Sequence, residues 1–354
     1  MSSADAATGF SIGPARIGPG EPVYVVAEIG VNHNGCARTA AELIHAAAEA
    51  GADAVKFQVF APQRLVRHDA PAAAYQKRAG QGDRQYQMLA RLALSPDDLG
   101  RLAETADRCD VEFLATPFSV ADLRTLLDLG VRAVKLASPD LVNWPLLEAA
   151  AASRLPVLAS TGAAEMSEVV ESVDHFRRAR GGPLALLHCV SRYPTPEHEA
   201  NLAAIRTLGR TFGCVTGFSD HTESTAIGGY AAAAGAAIIE KHFTLSRAQD
   251  GPDHAFSLEP AAMAEYIRGI RAAEVMLGNG RITVSPGQEE VRRLARGSVV
   301  AACDIPAGRR LSADMLTVKR PGDGISPRQI SALIGRVAAR DIPADAPIAW
   351  ESLK

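Results

Sequence analysis

The sequence predicts an α/β chain, a (β/α)8 TIM barrel over residues 23–280 followed by a small β-rich domain over 295–354. Three observations point there. Eight short apolar runs alternate with Ala/Leu-rich amphipathic stretches. Polar residues gather at the C-terminal ends of those runs. The texture changes abruptly near residue 280.

The apolar runs are VYVVAEIG (23–30), AVKFQVF (54–60), VEFLATP (111–117), RAVKLAS (132–138), PVLAST (156–161), LALLHCV (184–190), CVTGFSD (214–220) and AAIIEKHF (236–243). Such runs suit strands buried on both faces. The stretches between them, such as ARTAAELIHAAAEAG and SVADLRTLLDLG, read as helices closed by glycine. Eight such units in about 260 residues fit a barrel. An open doubly wound sheet is the alternative, but no GxGxxG follows the first run. Residues 1–22 form an N-terminal segment. The polar stretch 281–294 reads as a linker. The last sixty residues hold short alternating strands and a weak repeat, IPAGRRLSADML (305–316) against IPADAPIAWESL (342–353). A domain of about 60 residues is marginal alone.

Bulk properties exclude several classes. The 354 residues are 47% apolar and 22% charged, with formal net charge −3. No basic excess favours nucleic acid and no charge run favours a membrane surface. The five cysteines are odd in number and form no CxxC pair, which suits a reduced, cytoplasmic setting. The N-terminus shows no signal-peptide pattern, and no apolar run approaches bilayer-spanning length.

A barrel displays its chemistry at the C-terminal ends of strands. Residues there include Glu28, Asn32 and His33; Lys56 and Gln58; Thr116; Lys135 and Ser138; Ser160; His188 and Tyr193; Ser219 and His221; Glu240 and His242. His221 and His242 end the seventh and eighth runs, neighbours in a barrel. Two inward imidazoles there suit a divalent metal with open positions; two core histidines would give the same pattern. Lys56 and Lys135 sit in VKF and VKL, where a buried ammonium calls for an anion. Together they suit a phosphate or carboxylate clamp aided by Ser138, Ser160 and Ser219. Snorkelling lysines or a Schiff-base lysine are the other readings. Glu28 suits proton transfer or a structural ion pair.

VAEIGVNHNG, GADAVKFQVF, FLATPFS, VKLASPDLVNWPLLEAAA, VLASTG, HCVSRYPTP, GFSDHTES and IIEKHFTL…GPDHAFSLEP resemble, in order, the sialic acid (N-acetylneuraminate, or nonulosonate) synthase family. The end of the chain, SVVAACDIPAGRRLSADML…KRPGDGISP, is similar to the antifreeze-like (SAF, β-clip) domain that closes those synthases. The resemblance implies condensation of phosphoenolpyruvate with an N-acylated hexosamine in its open-chain aldehyde form, giving a nine-carbon 2-keto-3-deoxy sugar acid and phosphate. It implies His221 and His242 as ligands to Mn2+, with Mg2+ or Co2+ as substitutes. It implies Lys56, Lys135, Ser138, Ser160 and Ser219 around phosphoenolpyruvate, with Glu28 and Glu240 at the reacting centre. Gln58, Ser191, Tyr193 and Asp253 fall around the sugar, and Arg320 would enter the neighbour's barrel in a domain-swapped homodimer. Two positions depart from the usual pattern: Ser191 and Ala79 stand where asparagines are common near the sugar. N-acetylmannosamine and a 2,4-diacetamido-6-deoxy relative, as for legionaminic acid, both remain as acceptors. A Schiff-base lyase and a non-catalytic sugar-binding protein are the competing classes.

Overall fold

The computed structural model describes residues 9–71 and 85–354. The chain divides into two compact units, Met1–Gly278 and Asn279–Lys354.

The first unit is built on eight parallel strands: β3 (Tyr24–Gly30), β4 (Ala54–Val59), β5 (Glu112–Pro117), β6 (Val134–Leu136), β7 (Val157–Ser160), β8 (Leu184–Cys189), β9 (Val215–Asp220) and β10 (Ile238–His242). Each falls within two residues of its predicted run. The ladder order is β5-β4-β3-β10-β9-β8-β7-β6, so the first barrel strand pairs with the last and the sheet curls into a nearly closed barrel. The seam lies between β5 and β6, which are adjacent without a ladder. These strands read as continuous apolar runs because helices such as Ala37–Glu49 and Pro260–Leu277 cover their outer face.

Strand alternation then sorts the inner side chains by height. Near the N-terminal mouth they are apolar: Tyr24, Val26, Ala54, Leu114, Leu158 and Ile238 belong to one buried cluster. One step higher the same faces carry Glu28, Lys56, Thr116, Ser160 and Glu240. A short antiparallel hairpin, β1 (Phe10–Ile12) with β2 (Ala15–Ile17), closes the lower end. Phe10, Ile12 and Ile17 join the apolar cluster and keep water from it. The N-terminal segment therefore contains a barrel plug, which the sequence reading left unassigned.

The loop after β3 holds His33, 1% exposed, with Nδ1 accepting from the Gly35 N–H at 3.0 Å. Burial pushes this imidazole down to about 4. The unfolded chain therefore takes the proton first, near 6.5, and stability is lost as pH falls from about 6.5 towards 4. His33→Asn should flatten that acid slope by up to about 3 kcal/mol, measured by denaturant unfolding across the window. His254, also lowered to about 4 by burial, should leave a residual slope. An unchanged slope would show that His33 stays neutral at no cost.

The second unit has its own apolar core, including Val299, Ile305, Leu311, Leu333, Ile342 and Ile348. Strands β11 (Ser298–Ala301) and β12 (Leu316–Lys319) pair antiparallel. The sequence repeat is structural. Ile305 and Ile342 exchange backbone hydrogen bonds at 2.8 and 2.9 Å, and the 3-10 turns Ala313–Met315 and Trp350–Ser352 occupy equivalent places in the two halves. The predicted linker carries a short helix, Glu289–Ala295, with no buried residue.

Candidate active site

The polar layer at the top of the barrel surrounds a pocket lined by Glu28, Lys56, Gln58, Lys135, Ser138, Ser160, Tyr193, Ser219, His221, Glu240 and His242, with Thr116 and Cys189. Eleven of the fourteen residues to which the resemblance gives a role thus meet in one place. Asp253 and Ser191 stand at its two ends, and Arg320 belongs to the second unit.

Charge organises the floor. Lys56 Nζ lies 2.7 Å from Glu28 Oε2 and 3.8 Å from Glu240 Oε2, and donates to Thr116 Oγ1 at 3.0 Å. Lys135 Nζ lies 3.8 Å from the same Glu240 oxygen and donates to Ser160 Oγ at 2.7 Å and Leu136 O at 2.9 Å. Ser219 Oγ donates to Glu240 Oε1 at 3.1 Å. All four charged side chains are nearly inaccessible. Burial pulls Lys56 down, but Glu240 and Glu28 outweigh it and hold the ammonium above its usual range. Lys135 is lowered by burial and by Lys56, with Glu240 opposing. Glu240 is pushed up by burial but held low by Lys135 and Lys56. Glu28 goes the other way: burial raises it beyond what Lys56 restores. The two carboxylates are thus shifted in opposite directions, Glu240 below its usual range and Glu28 above it.

One end of the pocket is shaped by Gly30, at φ +55°. A Cβ there would lie 3.0 Å from Glu28 Oε1, 3.2 Å from Gln58 Nε2 and 3.5 Å from Asp253 Oδ2. Burial and Glu28 raise Asp253 to about 7. Across the barrel, Gly162 follows β7. A Cβ there would lie 2.3 Å from Ser191 Oγ and 2.8 Å from both Cys189 Sγ and Ser138 Oγ, so only glycine fits. The Gly162 N–H also donates to Ser138 Oγ at 2.9 Å. Ser191 therefore stands with Ser138 and Cys189, not with Gln58 and Asp253.

His221 and His242 face each other at 5.4 Å between ring centroids, walled by Tyr193, 4.3 Å from His221, and Phe256, 5.0 Å from His242. His221 Nδ1 lies 2.9 Å from Val190 O; a proton donated there leaves Nε2 as a lone-pair ligand. His242 Nδ1 is buried without a hydrogen-bond partner, and burial with His221 holds the ring neutral. Two facing imidazoles, one with an orphaned nitrogen, fit a divalent cation. Among the described residues no group of three or more His, Cys, Asp and Glu side chains could hold a metal, so a cation on these two would keep positions for substrate or water.

Some expectations need correction. His188 was grouped with the strand-end functional residues. It alternates with the inward Leu187 and Cys189, so it faces out, stacks on Phe218 and meets Ala200 O at 2.8 Å. Cys189, unremarked in the sequence, lines the pocket 3.7 Å from His221 Nδ1. Its place two residues after Leu187 was the available clue. Thr116, at the end of its strand, lines the pocket and accepts from Lys56 Nζ. Arg320 is exposed and follows β12. Its turn is fixed by Ser298 Oγ donating to Pro321 O at 2.7 Å and accepting from Gly324 N at 2.8 Å. Ala79 lies outside the described residues.

The NeuB family model matches residues 43–282, well over half the chain, and the SAF domain model matches 296–354. The chain belongs to the NeuB family. It is 38% identical to the N,N'-diacetyllegionaminic acid synthase of Legionella pneumophila, covering 94% of each chain. It is 30% identical to the pseudaminic acid synthase of Helicobacter pylori, over 94% of this chain and 98% of that one. The crystal structure of N-acetylneuraminic acid synthetase from Leptospira borgpetersenii superposes with TM-score 0.71 at 34% identity, covering 80% of this chain and 95% of that one. This NeuB-family chain is thus similar to sugar-acid synthases over both its barrel and its SAF domain.

Proposed function

We propose that the chain condenses phosphoenolpyruvate with an N-acylated hexosamine to give a nine-carbon 2-keto-3-deoxy sugar acid and phosphate. The observation that carries this reading is the pair of buried lysines bracketing Glu240, in the same pocket as two facing histidines. Lys56 and Lys135 offset the charge of a phosphate and a carboxylate, and Ser138, Ser160, Ser219 and Thr116 supply hydroxyl donors. The cluster around Gly162 extends this end, so Ser191 is assigned to phosphoenolpyruvate rather than to the sugar. Glu28, Gln58 and Asp253 around Gly30 take the acceptor. A divalent cation on His221 and His242, Mn2+ in first place and Mg2+ or Co2+ as substitutes, supplies Lewis-acid polarisation of a carbonyl.

In the condensation C3 of phosphoenolpyruvate attacks the acceptor aldehyde. Water adds to the cation formed at C2, and phosphate leaves by C–O cleavage. Glu28, held towards its protonated form, is placed to give a proton to the new alkoxide. Glu240, kept charged between the lysines, is placed to stabilise the cation. The acceptor is assigned as a 2,4-diacetamido-6-deoxy hexose, since the Legionella relative is named for a diacetylated product. N-acetylmannosamine is the other candidate. Phosphate release with phosphoenolpyruvate and a panel of N-acylated hexosamines, with products read by mass spectrometry, tests both. No release with any acceptor would refute the reading. The lowered Lys135 favours one rival, a Schiff-base lyase. Borohydride trapping with pyruvate would then label that lysine.

We also propose a homodimer in which Arg320 completes the partner's site by forking hydrogen bonds to the acceptor. Arg320→Ala and His242→Ala chains should each be nearly inactive. Mixed after dissociation, they should recover up to about a quarter of wild-type sites, since random pairing makes half the dimers mixed with one intact site each. No recovery in verified mixed dimers would confine Arg320 to its own barrel or to none.

A further inference from the structure

The two histidines are placed by a buried network on the opposite face of their strands. The last residue pair in register between β9 and β10 is Asp220 with Lys241. His221 follows β9, and His242 pairs onward with Glu28 of β3, not with β9. Beyond that last pair each histidine is anchored to a different neighbour. The His221 carbonyl accepts from Thr195 N at 2.8 Å, and the His242 carbonyl accepts from Leu258 N at 2.9 Å. No ladder bond links the two residues themselves.

Lys241 fills that gap. Alternation turns it away from the pocket, and it is 1% exposed. Its Nζ lies 2.9 Å from Asp220 Oδ2 and donates to Thr222 O, so it grips the residues on both sides of His221. It is itself the residue before His242. Asp220 is fully engaged: Oδ1 accepts from Thr222 N at 2.8 Å, and Oδ2 accepts from Tyr266 Oη at 2.9 Å. Tyr266 comes from the covering helix Pro260–Leu277, and Lys241 Nζ sits 5.6 Å from its ring centroid. A buried ion pair of this kind is weak evidence for stability, since apolar or neutral replacements of both partners are often tolerated. Its location is the informative feature.

We infer that Lys241, Asp220 and Tyr266 are positioning residues that set the spacing of His221 and His242 for a divalent cation. The inference rests on the metal reading. Its discriminating variant is the neutral pair Lys241→Met with Asp220→Asn in the full chain. Asparagine keeps an acceptor for Thr222 N, and no buried charge is left alone. Mn2+ affinity is measured by calorimetry, the Co2+ complex by its visible spectrum, and stability by melting. The double variant should melt closer to wild type than Lys241→Met alone, yet bind Mn2+ at least about tenfold more weakly and show an altered Co2+ spectrum. Wild-type affinity and spectrum in the double variant would overturn the positioning role and leave the metal reading intact. Should wild type bind Mn2+ no better than His242→Ala, the metal reading falls and takes this inference with it. If the double variant does not fold, Tyr266→Phe decides, since it removes one oxygen and keeps the ring. Weaker Mn2+ binding at unchanged melting supports the role, and unchanged binding overturns it.

Discussion

Replacing His242 with alanine should cut turnover by about three orders of magnitude, and His221→Ala should do the same. Loss of a Lewis acid forfeits several kcal/mol of charge stabilisation, and each 1.36 kcal/mol is a decade in rate. The folded chain should survive both changes. His242 contributes no hydrogen bond through Nδ1, and His221 gives up its Nδ1 contacts with Val190 O and Cys189 Sγ. Metal content measured on the purified variants should fall in parallel. The readout separates chemistry from folding because a melt can be recorded on the same samples. Full activity of either variant after exhaustive chelation would sink the metal assignment and return both rings to the role of core histidines.

The barrel could be read from the sequence because parallel strands covered on both sides are written as unbroken apolar runs, and all eight were found that way. The plug was missed for a physical reason. FSI and ARI are three residues each, too short for periodicity to register, and the turn Gly13-Pro14 between them was the one available sign. The misplaced His188 shows what counting residues at strand ends omits. A strand end offers two faces, and parity with Leu187 and Cys189 decides which face reaches the pocket. Asp220 and Lys241 obey the same parity, which turns them outward between residues that line the site. The two glycine gaps were invisible for another reason. Gly30 simply closes the first apolar run, and only the close approach of side chains in the folded chain shows that its missing Cβ makes room for Glu28, Gln58 and Asp253. Convergence from distant parts of the chain leaves no local trace.

Lys135→Met and Lys56→Met should both weaken apparent affinity for phosphoenolpyruvate by at least about tenfold, since a hydrogen bond to a charged group contributes roughly 1.5–3 kcal/mol. For Lys135→Met, affinity for the acceptor should stay within about twofold, because Glu28, Gln58 and Asp253 gather at the other end of the pocket; Lys56→Met, which removes a partner 2.7 Å from Glu28, should change it more. The two variants should differ in stability. Lys56 touches both carboxylates, at 2.7 Å to Glu28 and 3.8 Å to Glu240. Its loss leaves two buried acids facing one remaining cation, and breaking such a pair costs about 3–5 kcal/mol. Part of that is recovered if Glu28, already raised by burial, takes up a proton. Of the two carboxylates Lys135 meets only Glu240, which keeps Lys56 as a partner, so Lys135→Met should melt nearer to wild type. Initial rates at varied phosphoenolpyruvate and fixed saturating acceptor, then the reverse, give the two apparent affinities; melting curves give the stability order. A rise in the acceptor constant with the phosphoenolpyruvate constant unchanged would move the lysines to the sugar. A borohydride-trapped adduct at Lys135 would replace the anion clamp with a covalent lysine.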